Sequence, residues 1–155
     1  MLFAAFQTIT LVIAGLMVGN ELAVGAFIHP QLYTLDDKIH VASAQTFARI
    51  YGAVMPIWYA LTLVLTIAIT FLLRQTGSPF ILAVASTVFW LAAILLTVTG
   101  LVPINNQVSH WDLERLPGDW KQLRNQWDRL HLIRLSILII ALICLTIACL
   151  TAATA

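Results

Sequence analysis

The stretch FILAVASTVFWLAAILLTVTGLV, residues 80–102, contains no ionisable side chain. At about 1.5 Å of rise per residue, such a run crosses the roughly 30 Å hydrocarbon core of a bilayer as one helix. Three more runs of comparable length surround it. They cover residues 2–28, residues 41–73 (fully apolar after Tyr51) and residues 119–153 (apolar from Leu135). The whole chain of 155 residues is 61% hydrophobic and 10% charged, with a mean hydropathy of +0.93. A soluble domain carries about 25% charge. The sequence therefore predicts an all-α integral membrane protein, an antiparallel four-helix bundle in a single domain. Its helices fall at about 2–28, 41–73, 80–102 and 119–153. The first run has no positive start and exceeds an ordinary signal-peptide core, so it reads as a retained helix. The net charge of +1 argues neither for nor against nucleic acid as a partner, and the absence of a long basic run argues against it. Cys144 and Cys149 sit in an apolar run without redox or zinc spacing and read as packing residues.

Residues 103–134 have the opposite character. They read PINNQVSHWDLERLPGDWKQLRNQWDRLHLIR and hold five of the eight Lys+Arg, four of the seven Asp+Glu, two of the four His and three of the five Trp. Pro117-Gly118 marks a turn. A long polar, Trp-bearing loop is thus expected over 103–118, then the start of the fourth helix. Trp111, Trp120 and Trp127 suit the headgroup level. In the fourth helix Arg124, Trp127, His131 and Arg134 recur at helical spacing and form one face entering the bundle.

The other helices offer partners for that face. The first carries Gly15 and Gly19 in small-xxx-small spacing, which would also permit a homo-oligomer. Glu21 is the only acid in the body of a hydrophobic run. A charge there costs about 2.5–3.5 kcal/mol on insertion scales and turns to the bundle interior. His29-Pro30 is expected to end that helix. Glu21 and His29 stand about 12 Å apart along an unbroken helix, about 80° around it. His40, in the link to the second helix, reads as a surface residue. The second helix has a polar stripe of Gln45, Arg49, Gly52, Pro56 and Tyr59, and Arg49 is the expected partner of Glu21. The third helix reads as scaffold, with Ser86, Thr87, Thr97 and Thr99 bonding back to their own carbonyls. Asn105-Asn106 stands at its mouth as a turn or a binding element.

Antiparallel topology carries Glu21, His29, Arg49, Asn105, Asn106, His131 and Arg134 to one end of the bundle. A pocket with convergent polar groups is the default site. The order of these features resembles the anthrone oxygenase-like family of small four-helix membrane proteins. That family has a Gly-rich first helix ending near a proline, here Gly15 to Gly25 with His29-Pro30. It has a VPxNN-like segment after the third helix, here Val102-Pro103-Ile104-Asn105-Asn106. It has a tryptophan- and arginine-bearing start to the fourth, here Trp120, Trp127, Arg129 and Arg134. The segment from Trp111 to Pro117 lies outside that pattern. The resemblance implies an oxidoreductase, since some members oxidise an anthrone to an anthraquinone with molecular oxygen.

The expected chemistry is proton abstraction from an acidic C–H or phenol, followed by reaction of the carbanion with O₂. His131, His29 or Glu21 would be the base. Arg134, Arg49, Asn105 or Asn106 would steady the oxyanion, and Tyr51 and Trp127 would stack on a planar lipophilic substrate. The cofactor is left open: none, iron or copper held by Glu21, His29 and His131, or haem on an axial His. The alternative is a non-enzymatic bundle in the lipid bilayer that binds a partner protein or a lipophilic ligand. A transporter is disfavoured, because the third helix offers no polar path across. Positive charges favour the side bearing Lys38, Arg115, Lys121, Arg124 and Arg129 over the side with Arg74. The polar end is thus expected on the cytoplasmic side of the cell (inner) membrane.

Overall fold

The computed structural model describes residues 1–152. Four long helices make up the chain: α1 Leu2–Leu32, α2 Asp37–Leu72, α3 Ser78–Ser109 and α4 Trp120–Ala152. Each is long and apolar enough to cross a membrane. Among the described residues there is no strand. The protein is an all-α integral membrane bundle in which α1 packs on α2 and α4, and α3 packs on α2 and α4. Ala153, the expected end of the fourth helix, lies outside the described residues.

Two helices run past the ends that the sequence suggests, by the same device. In α1 a π-helical segment, Val24–Ile28, precedes His29-Pro30, and the helix goes on to Leu32. In α3 the π-helical segment Thr97–Leu101 precedes Val102-Pro103, and the helix goes on to Ser109. Proline lacks an N–H, and its ring collides with the carbonyl of the preceding turn. A wider π turn moves that carbonyl aside, so the chain stays helical where a plain α-helix would stop. His29 N–H donates to the Val24 carbonyl and Val102 N–H to the Thr97 carbonyl, each five residues back. Asn105 and Asn106 therefore ride on a helix rather than in a turn.

The tightest seam joins α3 and α4. Ala83, Ala93, Ala141 and Ala148 are fully buried, and small side chains let the backbones approach. Ser86 Oγ donates across the seam to the Ala141 carbonyl at 2.8 Å, whereas Thr87, Thr97 and Thr99 bond to carbonyls four residues back in their own helix. Gly77, at φ 71°, makes the tight turn that releases Ser78-Pro79 into α3. At the opposite end Gln45 Nε2 donates to the carbonyls of Val108 and Trp111, at 3.0 and 2.9 Å. These bonds cap α3 and fix the start of the polar loop. Lys38–Glu114 and Lys121–Asp37 tie loop and helix ends together at the surface, where such pairs contribute about 0–1 kcal/mol each.

Candidate functional site

At the polar-loop end the four helices enclose a cavity of about 620 Å³. Its inner wall comes from α1 and α4. Glu21 is buried, 3% exposed, and Arg134 Nη2 donates to its Oε2 at 2.6 Å. Tyr59 of α2 donates its hydroxyl to Glu21 Oε1 at 2.9 Å. Arg134 Nη1 reaches Thr97 Oγ1 of α3 at 3.2 Å. One ion pair thus ties all four helices together, and α3 is more than the scaffold the sequence suggests. A buried charge pair is tolerable because each charge has its counter-charge and further hydrogen bonds.

His131 is 1% exposed and has both nitrogens engaged. Nε2 lies 3.0 Å from the Glu21 carbonyl, which can only accept, so Nε2 carries the proton. Nδ1 then accepts from Arg134 Nη2 at 3.0 Å. The approach depends on Gly25, where a Cβ would lie 2.9 Å from His131 Cδ2 and Nε2. A side chain at this point of the α1 π segment would push the imidazole away.

A second polar group sits nearer the loop. His29 Nδ1 is 2.8 Å from Asp128 Oδ1 and 3.2 Å from Arg124 Nη2. One nitrogen cannot both donate and accept. The shorter contact is to the carboxylate, so Nδ1–H donates to Asp128 and Nε2 keeps its lone pair. The Tyr33 hydroxyl donates to Asp128 Oδ2 at 2.5 Å, with Asn125 Oδ1 2.9 Å away. Burial first, then the hydrogen bond to Asp128 and its negative charge, push the Tyr33 phenol well above its ordinary value. The rings of His29, Trp127 and His131 lie nearly parallel. Trp127 is 4.4 Å from His29 and 4.9 Å from His131, centroid to centroid, and Arg124 lies over the Trp127 ring at 4.9 Å.

Most of the predicted residues meet here. Glu21, His29, Tyr51, Asn105, Asn106, Trp127, His131 and Arg134 all line the cavity, and the Tyr51 hydroxyl donates to Asn20 Oδ1 at 3.3 Å. Arg49 does not. It is exposed, has no ion pair among the described residues, and Arg134 takes Glu21 instead. The reason is geometric: Arg49 stands ten residues before Tyr59, about 15 Å along α2 from the level of Glu21. It also lies about 120° round from the buried face of Ala44, Ala48 and Met55. His40 is not a surface residue. It is 2% exposed, edge-on to Tyr33 and Trp120. Trp120 and Trp127 likewise turn inward, both buried.

The carboxylate and two imidazoles named as metal ligands do not assemble. Among the described residues no three His, Cys, Asp or Glu side chains converge as a metal-binding group. Glu21 Oε2 is held by Arg134, and both His131 nitrogens meet protein partners, the Glu21 carbonyl and Arg134. Three residues of the site do not stand out in the sequence: Asp128, Tyr33 and Asn20. Asp128 stands four residues after Arg124, on an adjacent strip of the same helix, and that spacing was its one available signal.

A membrane four-helix bundle with a charged, aromatic-walled cavity at one end is the class of protein that these features define. Within it, the sequence profile of the anthrone oxygenase family matches residues 44–144, and the chain belongs to that family. The matched part contains Tyr59, Asn105, Asn106, Arg124, Trp127, Asp128, His131 and Arg134; Glu21 and His29 lie before it. No curated protein and no solved structure matches the chain.

Proposed function

We propose that the protein is an oxygenase that converts a lipophilic hydroxylated aromatic, of anthrone type, inside this cavity. One observation supports the reading most: a single cavity is lined both by the ionisable groups Glu21, His29 and Arg134 and by the rings of Tyr51, Tyr59 and Trp127. Aromatic walls suit a planar ring system, and the guanidinium and imidazole groups suit its carbonyl or phenolate oxygens.

The chemistry asks the protein for proton transfer and charge stabilisation, because the substrate supplies the electrons. His29 is the best-placed base: Asp128 holds its Nδ1–H, and Nε2 is left for the substrate, the base-and-orienter logic of hydrolytic triads. His131 suits a positioning role, since neither nitrogen is free. In the first step His29 Nε2 takes the acidic C–H proton. Negative charge moves to the ring oxygen, which Arg134 and the neutral amide donor of Asn105 stabilise. The carbanion passes one electron to O₂, and the two radicals join as a C–O–O⁻ peroxide, which His29 protonates. Loss of the second C–H proton to His29 then breaks the O–O bond and leaves C=O. The departing hydroxide takes up that proton as water. One CH₂ and one O₂ thus become one C=O and one H₂O.

The test is O₂ consumption by the purified protein in lipid nanodiscs with a dihydroxyanthrone. Wild type should consume one O₂ per anthraquinone formed. His29→Ala should lose about 10²–10⁴-fold of the rate, the usual contribution of a general base. Wild type without uptake above the uncatalysed rate would refute the oxygenase reading. The positive-charge count supports a cytoplasmic cavity end. Impermeant thiol reagent added outside cells should then label Thr76→Cys and not Asp36→Cys; the reverse would turn the protein over.

A further inference from the structure

The cavity has one open side. Every residue that α4 contributes to its lining is buried, and those of α1 are buried or half-buried. The exposed lining residues all lie on the other two helices: Gly52, Pro56 and Ala60 on α2, and Val98, Val102 and Asn106 among those on α3. The mouth is therefore a slot between α2 and α3. A Cβ built on Gly52 meets nothing within 4 Å, so the lip there is open space. Both helices belong to the membrane-crossing set, and the lips are apolar except near Asn106. In a bilayer, a slot with such lips between two membrane-crossing helices would open on hydrocarbon, with Asn106 at its polar end.

The polar groups sit opposite. Glu21, Arg134, His131 and His29 form the far wall, on α1 and α4. A ligand whose oxygens meet that wall must turn its other edge toward the slot. We infer that the site takes a bilayer-dissolved, hydroxylated aromatic bearing an alkyl or prenyl chain, with the ring system inside and the chain lying out through the α2–α3 slot into the lipid. This deepens the oxygenase reading, on which it rests for the ring chemistry. The energetic logic is simple. A chain in the slot keeps its contact with hydrocarbon in both free and bound states, so it adds little to affinity and subtracts little. In a closed cavity the same chain would have no room. Chain position therefore decides binding: tolerated on the edge away from the hydroxyls, excluded on the hydroxyl edge that faces the charged wall.

The experiment uses the full chain in nanodiscs and three stable coloured probes at equal mole fraction in the bilayer. They are a dihydroxyanthraquinone, its decyl derivative on the edge opposite the hydroxyls, and its decyl derivative on the hydroxyl edge. Binding is read as quenching of tryptophan fluorescence, to which Trp127 in the cavity wall contributes. The expected result is equal affinity, within about threefold, for the first two probes and at least tenfold weaker binding of the third. Gly52→Phe with Val98→Phe should plug the slot without adding a tryptophan to the signal. It should lower affinity for the opposite-edge decyl probe at least tenfold more than affinity for the plain probe. Rejection of both decyl probes by wild type, or a plug that does not separate the plain from the opposite-edge probe, would overturn the slot. If the plugged protein does not fold, the single variant Ala60→Leu narrows the same lip and is read in the same way. Binding with the expected chain preference but without O₂ uptake would sink the oxygenase reading and leave the slot standing. Binding of none of the probes removes both.

Discussion

Removing both partners of the Glu21–Arg134 pair should destabilise the bundle no more than removing one. The two side chains are over nine-tenths buried and their closest atoms are 2.6 Å apart. Glu21→Gln strands a buried guanidinium, and Arg134→Met strands a buried carboxylate. Breaking a buried pair from one side costs about 3–5 kcal/mol. Arg134→Met should fall at the upper end, because Thr97 and His131 each lose a donor as well, about 1 kcal/mol apiece. If the two losses were independent, the double variant would lose about 6–10 kcal/mol. With no stranded charge it should lose no more than either single, so the coupling energy is of the order of several kcal/mol. The assay is equilibrium unfolding in mixed micelles by added dodecyl sulfate, followed by far-ultraviolet circular dichroism. Arg134→Lys keeps the charge at a shorter reach and serves as the folded comparison if the singles do not refold. Additive losses in the double variant would refute the ion pair as the tie between the four helices.

The same geometry sets three further expectations. Gly25→Ala puts a Cβ 2.9 Å from the His131 ring and should cost about 1–3 kcal/mol, the usual range for overpacking, in the same unfolding assay. Arg49→Ala should change stability by no more than about 0.5 kcal/mol and leave probe binding intact, since Arg49 is exposed and outside the cavity lining. Tyr33 is raised above an ordinary phenol of about 10. Its contribution to stability is therefore fully present below about pH 10 and lost as pH rises toward its folded value. Unfolding at pH 9 and pH 11 should show a smaller drop for Tyr33→Phe than for wild type.

Length and hydropathy alone made the membrane bundle legible, because a run such as residues 80–102 has no other stable place. The helix ends were less legible. A proline in sequence says that a plain α-helix is interrupted, but not whether a π turn will absorb it, as before Pro30 and Pro103. At the site, Glu21, His29, His131 and Arg134 stood out because ionisable groups in an apolar background are rare. Their pairing did not. Choosing between Arg49 and Arg134 for Glu21 requires the relative heights of helices, which no single-chain spacing contains. Asp128 was hidden for a different reason: among the many charges of residues 103–134 nothing in the sequence separates an acid that orients a histidine from one that meets water. His40 and Trp120 show the same limit, since the two buried rings meet edge-on from different helices, a contact that periodicity within one helix does not describe.

Oxygen tracing tests the central claim most directly. The nanodisc-embedded protein is given a dihydroxyanthrone under ¹⁸O₂, and the quinone is analysed by mass spectrometry before its carbonyls exchange with water. One ¹⁸O atom in the new carbonyl is the predicted result, with the rate falling together with probe binding in the Gly25→Ala and Glu21→Gln variants. A new carbonyl oxygen drawn from water, or a rate indifferent to these changes in the cavity wall, would contradict it.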